Sequence, residues 1–330
     1  VDLASKPIWI EGPHLYQRDG WYYLSCAEGG TGPQHSQVVL RSRNVWGPYA
    51  PAPHNPILTQ RDLPAGRAQP ISNAGHVDLV DTPDGQWWAV FLASRPYAHD
   101  RYNTGRETFL LPVQWRDGWP SILPPGAPIP YVAKAPHGTP ARIDQTPLSG
   151  NFTWRDGFDA PTPQREWLSL RVPKRDWADL RARPGWLTLH ATPQGLASTG
   201  NPAFLGRRQQ HTHFTASTAL ELPAHAGISA GLAAVQNSNA WYALGVRRDG
   251  DGAEVFVDKR DGTRTTPLAR ARIPVTTAPL RLQISGDGGR YSFAFDATGH
   301  GWQWLQRHDD ASMLSTAPVS YTHLRAHETR

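Results

Sequence analysis

One carboxyl group is set apart by its neighbours. The stretch Trp9-Ile10-Glu11-Gly12-Pro13-His14-Leu15-Tyr16 places Glu11 among aromatic and apolar residues at the end of a short strand. Strand alternation puts Trp9 and Glu11 on one face and Ile8 and Ile10 on the other, with Gly12-Pro13 ending the strand. A carboxyl held against apolar surface is desolvated and keeps its proton toward neutral pH, as a general acid must. The plain alternative is a solvated strand-end glutamate.

Other residues could join it. His76, two residues before Asp78, suits three roles: binding an ion, hydrogen-bonding a ligand, or tying strands together. Arg106 carries a fork of donors that can hold hydroxyl groups, or it can pair with the adjacent Glu107. Glu28 and His35 flank a loop where they would line a pocket rim or stabilise a turn. Gly227-Ile228-Ser229-Ala230-Gly231 has the spacing of a hydrolase nucleophile, but that chemistry needs a strand, a sharp turn and a helix, and the residues that follow read as strand and hairpin. His211 and His213 share a strand face without a third ligand nearby, so a packed or surface pair is favoured over a metal clip. Asn151-Phe152-Thr153 is too short a glycosylation pattern to carry weight.

The elements that must position these groups are strands. His14-Leu15-Tyr16 runs through Asp19-Gly20 into Trp21-Tyr22-Tyr23-Leu24, and His76-Val77-Asp78-Leu79-Val80 runs through Asp84-Gly85 into Trp87-Trp88-Ala89-Val90. Asp-Gly between alternating runs signals a hairpin, and the aromatic pairs suit a half-buried sheet. Gly105 to Val113 and Val113 to Pro120 read as a further pair of strands. A hairpin-rich repeat of about sixty residues without helical period indicates propeller blades of four strands.

Several motifs occur in one order: Ile10-Glu11-Gly12-Pro13-His14, Ala27-Glu28-Gly29-Gly30-Thr31, Val39-Leu40-Arg41-Ser42 with Gly47-Pro48-Tyr49, Gly75-His76-Val77-Asp78, and Gly105-Arg106-Glu107-Thr108. Together they resemble glycoside hydrolase family 43, in its β-xylosidase and α-L-arabinofuranosidase branch. The resemblance implies an all-β chain, an incomplete five-bladed β-propeller followed by a concanavalin-like β-sandwich of jelly-roll type. It implies inverting hydrolysis of xylo- or arabino-oligosaccharides, with Glu11 as general acid and with His76 and Arg106 at the sugar pocket. No cofactor is required; some members hold calcium on the propeller axis near a His, although calcium prefers oxygen ligands. Inversion needs a second carboxylate, and the family's base and acid-tuning aspartates have no counterpart here, since Asp2 is the one acidic residue before Glu11. The chain therefore reads as the C-terminal part of a longer enzyme, inactive alone. A carbohydrate-binding protein without turnover is the alternative.

The expected divisions are propeller blades over 1–135, a linker over 136–150 rich in turn residues, a sandwich over 151–318, and a non-native tail over 319–330. Sandwich strands are expected within 187–190, 215–222, 240–246, 254–257 and 280–284, after a domain start that includes Glu166 to Pro173.

Composition narrows the rest. Thirty Gly and 31 Pro among 330 residues supply the turns of an all-β architecture, and 14 Trp suit both cores and sugar faces. The net charge of +5 is scattered among carboxylates, as in Asp258-Lys259-Arg260-Asp261, so a nucleic-acid surface is not indicated. No apolar run approaches a membrane span. Cys26 is the lone cysteine, which rules out an internal disulfide and suggests a buried strand thiol. Cellular location stays open, and a full-length parent could pair with copies of itself.

Overall fold

The computed structural model describes residues 9–138, 150–173 and 176–316. Ile8, Asp2, most of the expected linker and the expected tail lie outside the described residues. The chain divides into two compact units, 1–143 and 144–330.

Unit 1 holds two antiparallel sheets. The first contains β1 (Glu11–Arg18), β2 (Trp21–Glu28), β3 (Ser36–Ser42), β4 (Ala50–Pro51) and β5 (Leu58–Thr59), ordered β1-β2-β3-β4 with β5 also paired to β3. The second, ordered in sequence, contains β6 (Ser72–Asp81), β7 (Trp87–Ser94), β8 (Glu107–Arg116) and β9 (Trp119–Ser121). Both sheets have the meander of a propeller blade; the second has the four strands expected of one, while the first adds β5 as a fifth. The β1–β2 and β8–β9 turns put Asp19-Gly20 and Asp117-Gly118 at positive φ, the geometry that matches strand twist. Gly105 to Pro120 is not split at Val113, however: β8 runs unbroken to Arg116 before it turns.

The blades share one core. Tyr23, Val39, Ile57 and Leu58 from the first meet Val77, Leu79, Phe91 and Leu111 from the second. Each such side chain contributes roughly 1.5–3 kcal/mol when fully buried. At the strand ends remote from Glu11, the blades are also laced by stacking: the Arg18 guanidinium lies 4.1 Å from the Trp115 ring, and Arg41 lies 4.3 Å from Trp21 and 4.1 Å from Trp119. Cys26 is buried within β2, and burial pushes its thiol up, away from the reactive thiolate.

Unit 2 begins with little regular structure. β10 (Ala178–Asp179) pairs with β11 (Thr188–Leu189), and Leu168 makes one isolated bridge to Gly206. No strand forms over 166–173; Trp167 instead packs between Trp154 and Phe158 and donates its Nε1–H to Asp156 at 2.7 Å. An aromatic anchor replaces the ladder. Two four-stranded sheets then stack face to face. One runs β12 (His213–Leu220), β17 (Leu280–Asp287), β18 (Arg290–Asp296), β19 (Gln303–Asp310); the other runs β13 (Ser229–Asn237), β14 (Ala240–Asp249), β15 (Gly252–Asp261), β16 (Arg264–Pro274). Tyr242, Leu244 and Val255 from one sheet meet Leu282, Tyr291 and Phe293 from the other. Lys259 donates to Asp309 at 2.9 Å and the Tyr242 hydroxyl donates to the same carboxylate, so both polar ends of this core are paired.

Candidate active site

Each residue singled out near Glu11 belongs to an irregular strand end in unit 1. β1 pairs Glu11 with Ala27 and then His14 with Ser25, so one extra residue bulges out at Gly12-Pro13. The strand does not end there, as its Gly-Pro pair predicts; it continues to Arg18. β6 carries two such irregularities, since Ser72, Gly75 and Asp78 face Ser94, Leu92 and Val90. Bulges re-aim side chains, and these two strands use them at adjoining ends. Asn73 and His76 both adopt left-handed φ, 58° and 56°, which non-glycine residues seldom do.

The two motifs interlock. A Cβ placed on Gly12 would sit 2.5 Å from Cε1 of His76, so the imidazole lies directly against the Gly12 backbone. Asp78 accepts a hydrogen bond from the Tyr16 hydroxyl at 2.7 Å and lies 3.5 Å from His14 Nδ1. Tyr16 in turn accepts from the Leu79 amide at 2.8 Å. Gly12→Ala should therefore destabilise unit 1 by about 1–2 kcal/mol from the positive φ alone, 56° here, before the clash with His76 is counted. Thermal melting of the variant checks this; an unchanged midpoint would contradict the close approach.

Below these lies a residue that sequence reasoning placed at the pocket rim. His35 is 1% exposed, and its Nδ1 lies 2.9 Å from the Asn73 carbonyl oxygen. Glu28 is buried too, accepting from the Ser36 hydroxyl at 3.3 Å. Burial lowers the His35 pKa below the usual 6.5, a shift opposed by the Asn73 bond and by Glu11, and reinforced by the nearby charges of His76 and Arg106. Glu11, His76 and Arg106 are thus the charged groups near enough to bear on this buried imidazole. They reach it from three places: the start of β1, the bulge of β6 and the turn before β8.

A histidine with a depressed folded-state pKa is protonated more readily once unfolded. Its contribution is constant above pH 6.5 and turns against folding as pH falls below 6.5, by up to about 1.4 kcal/mol per pH unit until the folded pKa is reached. The stability of unit 1 should fall below pH 6.5 less steeply in His35→Asn than in the native chain, and parallel pH–stability curves would contradict it.

Glu11 is exposed, and Trp9 does not cover it. Trp9 takes a left-handed φ of 54°, is 71% exposed and sets its ring against Gly30. The alternation expected of Trp9 and Glu11 fails because β1 begins only at Glu11. Arg106 is exposed as well. Its neighbour Glu107 is engaged elsewhere, bound by Arg95 through Nε at 2.8 Å and a terminal nitrogen at 2.6 Å, with Thr104 donating at 2.9 Å. That bidentate pair anchors the turn that presents Arg106.

The remaining motifs resolve plainly. Ser229 lies on β13, in a hairpin with β14, not at a strand-to-helix turn. His211 donates to the Gly150 carbonyl at 2.7 Å, and His213 pairs with Asp287 at 2.8 Å on the surface. Among the described residues no three His, Cys, Asp or Glu side chains gather as a metal shell. A cavity of about 220 Å³ lined by Gln60, Arg61, Arg67, Ser72 and His99 contains none of Glu11, His76 and Arg106.

Comparison with known proteins gives the family. Residues 2–120 match Glycosyl hydrolases family 43, and residues 155–323 match the Beta xylosidase C-terminal Concanavalin A-like domain. The chain belongs to glycoside hydrolase family 43. Among its family 43 relatives, a non-reducing end alpha-L-arabinofuranosidase of Bacteroides ovatus is 33% identical over 297 residues, covering 87% of this chain and 53% of that protein. A xylosidase/arabinosidase of Humicola insolens is 33% identical over 325 residues, covering 97% and 56%. A solved family 43 structure from a capybara gut metagenome superposes with a TM-score of 0.86 at 34% identity, covering 96% of this chain and 58% of that one. A xylan beta-1,4-xylosidase from Bacillus halodurans gives 0.82 at 30% identity, covering 93% and 58%. The chain spans about half the length of the curated relatives it matches. No helix among the described residues is long and apolar enough to cross a membrane.

Proposed function

We infer that this chain is the acid-bearing part of an inverting glycosidase that removes xylose or arabinofuranose from the non-reducing ends of xylan-derived oligosaccharides. The observation that carries this reading is the interlock of the two motifs, with the His76 ring packed against Gly12, next to Glu11. Glu11 protonates the leaving oxygen. The half-buried His76 ring and the Arg106 guanidinium hold sugar hydroxyls, which orients the ring and spares the acid from a purely diffusional encounter. Inversion also needs a carboxylate that activates water opposite Glu11, and neither His76 nor Arg106 supplies it. Both xylosidases and arabinofuranosidases stand among the relatives, and the same donors serve either sugar.

The division of labour is testable on the chain as it stands. With acid but no base, it should hydrolyse aryl β-xylosides and aryl α-arabinofuranosides near the background rate, because general acid help alone supplies only about 10²–10⁴-fold. Robust turnover by the purified chain, abolished by Glu11→Gln, would show that one of its own carboxylates acts as base.

A further inference from the structure

His35 is an odd choice for a buried site. Its Nδ1 faces a carbonyl oxygen, which can only accept, so Nδ1 carries the proton and the neutral ring presents a lone pair at Nε2. That nitrogen is buried and has no hydrogen-bond partner among the described residues. An apolar ring of similar volume would fill the same space without an unsatisfied nitrogen, so what the imidazole supplies is the one bond to Asn73.

That bond meets the strained part of β6. Asn73 and His76, the two left-handed residues, bound the segment in which β6 departs twice from regular register. Strain of this kind persists only where surroundings over-determine it. Here two neighbouring residues of the first blade pin it from either end. His35 holds the Asn73 carbonyl at 2.9 Å, and the Gln37 side chain accepts from the Val77 amide at 3.0 Å while donating to Ser25 at 2.8 Å. Between the pins the His35 ring lies flush on Gly75, where an added Cβ would meet Nε2 at 2.6 Å. The pinned segment ends in His76, whose ring rests on Gly12 beside Glu11.

We propose that His35 is a positioning residue for the sugar site, holding the Asn73–His76 bulge in the one shape that lays His76 against Gly12. It touches neither substrate nor reacting atoms; it acts through His76. This rests on the reading of the site given above, and it adds a residue that the sequence motifs do not point to. Sugar-binding geometry displaced by about 1 Å costs on the order of 10²-fold in rate, which sets the scale of the effect.

Two measurements test it. In the native chain, the imidazole nitrogen resonances of His35 at about pH 7 should show the Nδ1–H tautomer, with the Asn73 carbonyl as the group that Nδ1 faces. An Nε2–H tautomer would overturn the proposal without reference to any activity. In the full-length enzyme, His35→Phe should lower kcat/KM by about 10- to 100-fold, chiefly through KM, equally on aryl glycosides and on xylobiose, with the pH profile unmoved. His35→Asn puts a carboxamide donor where Nδ1 stands and should recover most of the loss. Equal impairment of the two variants, or a native KM in a folded His35→Phe, would overturn the positioning role. If Glu11→Gln leaves xylobiose turnover intact while the tautomer is as expected, the reading of the site fails and the pinning geometry stands.

Discussion

Glu11→Gln, made in the full-length enzyme, is expected to lower kcat on xylobiose by about 10²–10⁴-fold, while an aryl xyloside whose phenolate leaves without protonation loses far less. The amide preserves size and one acceptor but cannot deliver a proton. The basic limb of the kcat/KM profile should flatten in the same variant, because that limb reports loss of the acid's proton. Arg106→Ala gives the contrast: it removes sugar contacts and leaves proton delivery intact, so both leaving-group classes should weaken alike. Equal losses on both substrates for Glu11→Gln, with an unchanged pH profile, would reduce Glu11 to a structural residue.

The second large effect lies in the sandwich. Phe293 is fully buried on β18, its ring centroid 4.9 Å from that of Tyr242 on the facing sheet. Phe293→Ala removes the aromatic contact and leaves a cavity between two sheets that cannot collapse independently, at a cost of about 3–5 kcal/mol. Domains are stable by only about 5–15 kcal/mol, so the sandwich transition should drop by roughly 6–20 °C in calorimetry. A shift under about 2 °C would mean that the sheets do not pack through Phe293.

Much of the fold was legible in the sequence because hairpins announce themselves. Asp19-Gly20 and Asp84-Gly85 fall between paired strands as their types dictate, and the runs after them form β2 and β7. The paired sandwich sheets followed from strands such as Ala240–Asp249, apolar on the buried side. The bulges were not legible. A period of two locates a strand and its faces, but an inserted residue leaves no mark except a glycine that could equally end the strand, as Gly12 was read. The same ambiguity misplaced Trp9, whose backbone turns left-handed where alternation would carry it over Glu11.

For the candidate site, the motifs are legible in the sequence and the packing beneath them is not. Glu11, His76 and Arg106 fall in short motifs that can be recognised one by one. His35 is marked in the sequence as a rim or turn residue, but its buried place depends on Gly75, distant in sequence, whose missing side chain makes room for the ring. Contacts of that kind are set by blade packing, and no local pattern encodes them.

The central claim is that Glu11, His76 and Arg106 surround one sugar with the acid at its leaving oxygen. A crystal structure of the full-length enzyme carrying Glu11→Gln with xylobiose bound tests it most directly. The carboxamide introduced by that substitution should lie within hydrogen-bonding distance, about 2.6–3.2 Å, of the glycosidic oxygen, with Arg106 and His76 on hydroxyls of the non-reducing sugar. A disaccharide seated away from these three positions, or one whose glycosidic oxygen faces another carboxyl group, would contradict the assignment.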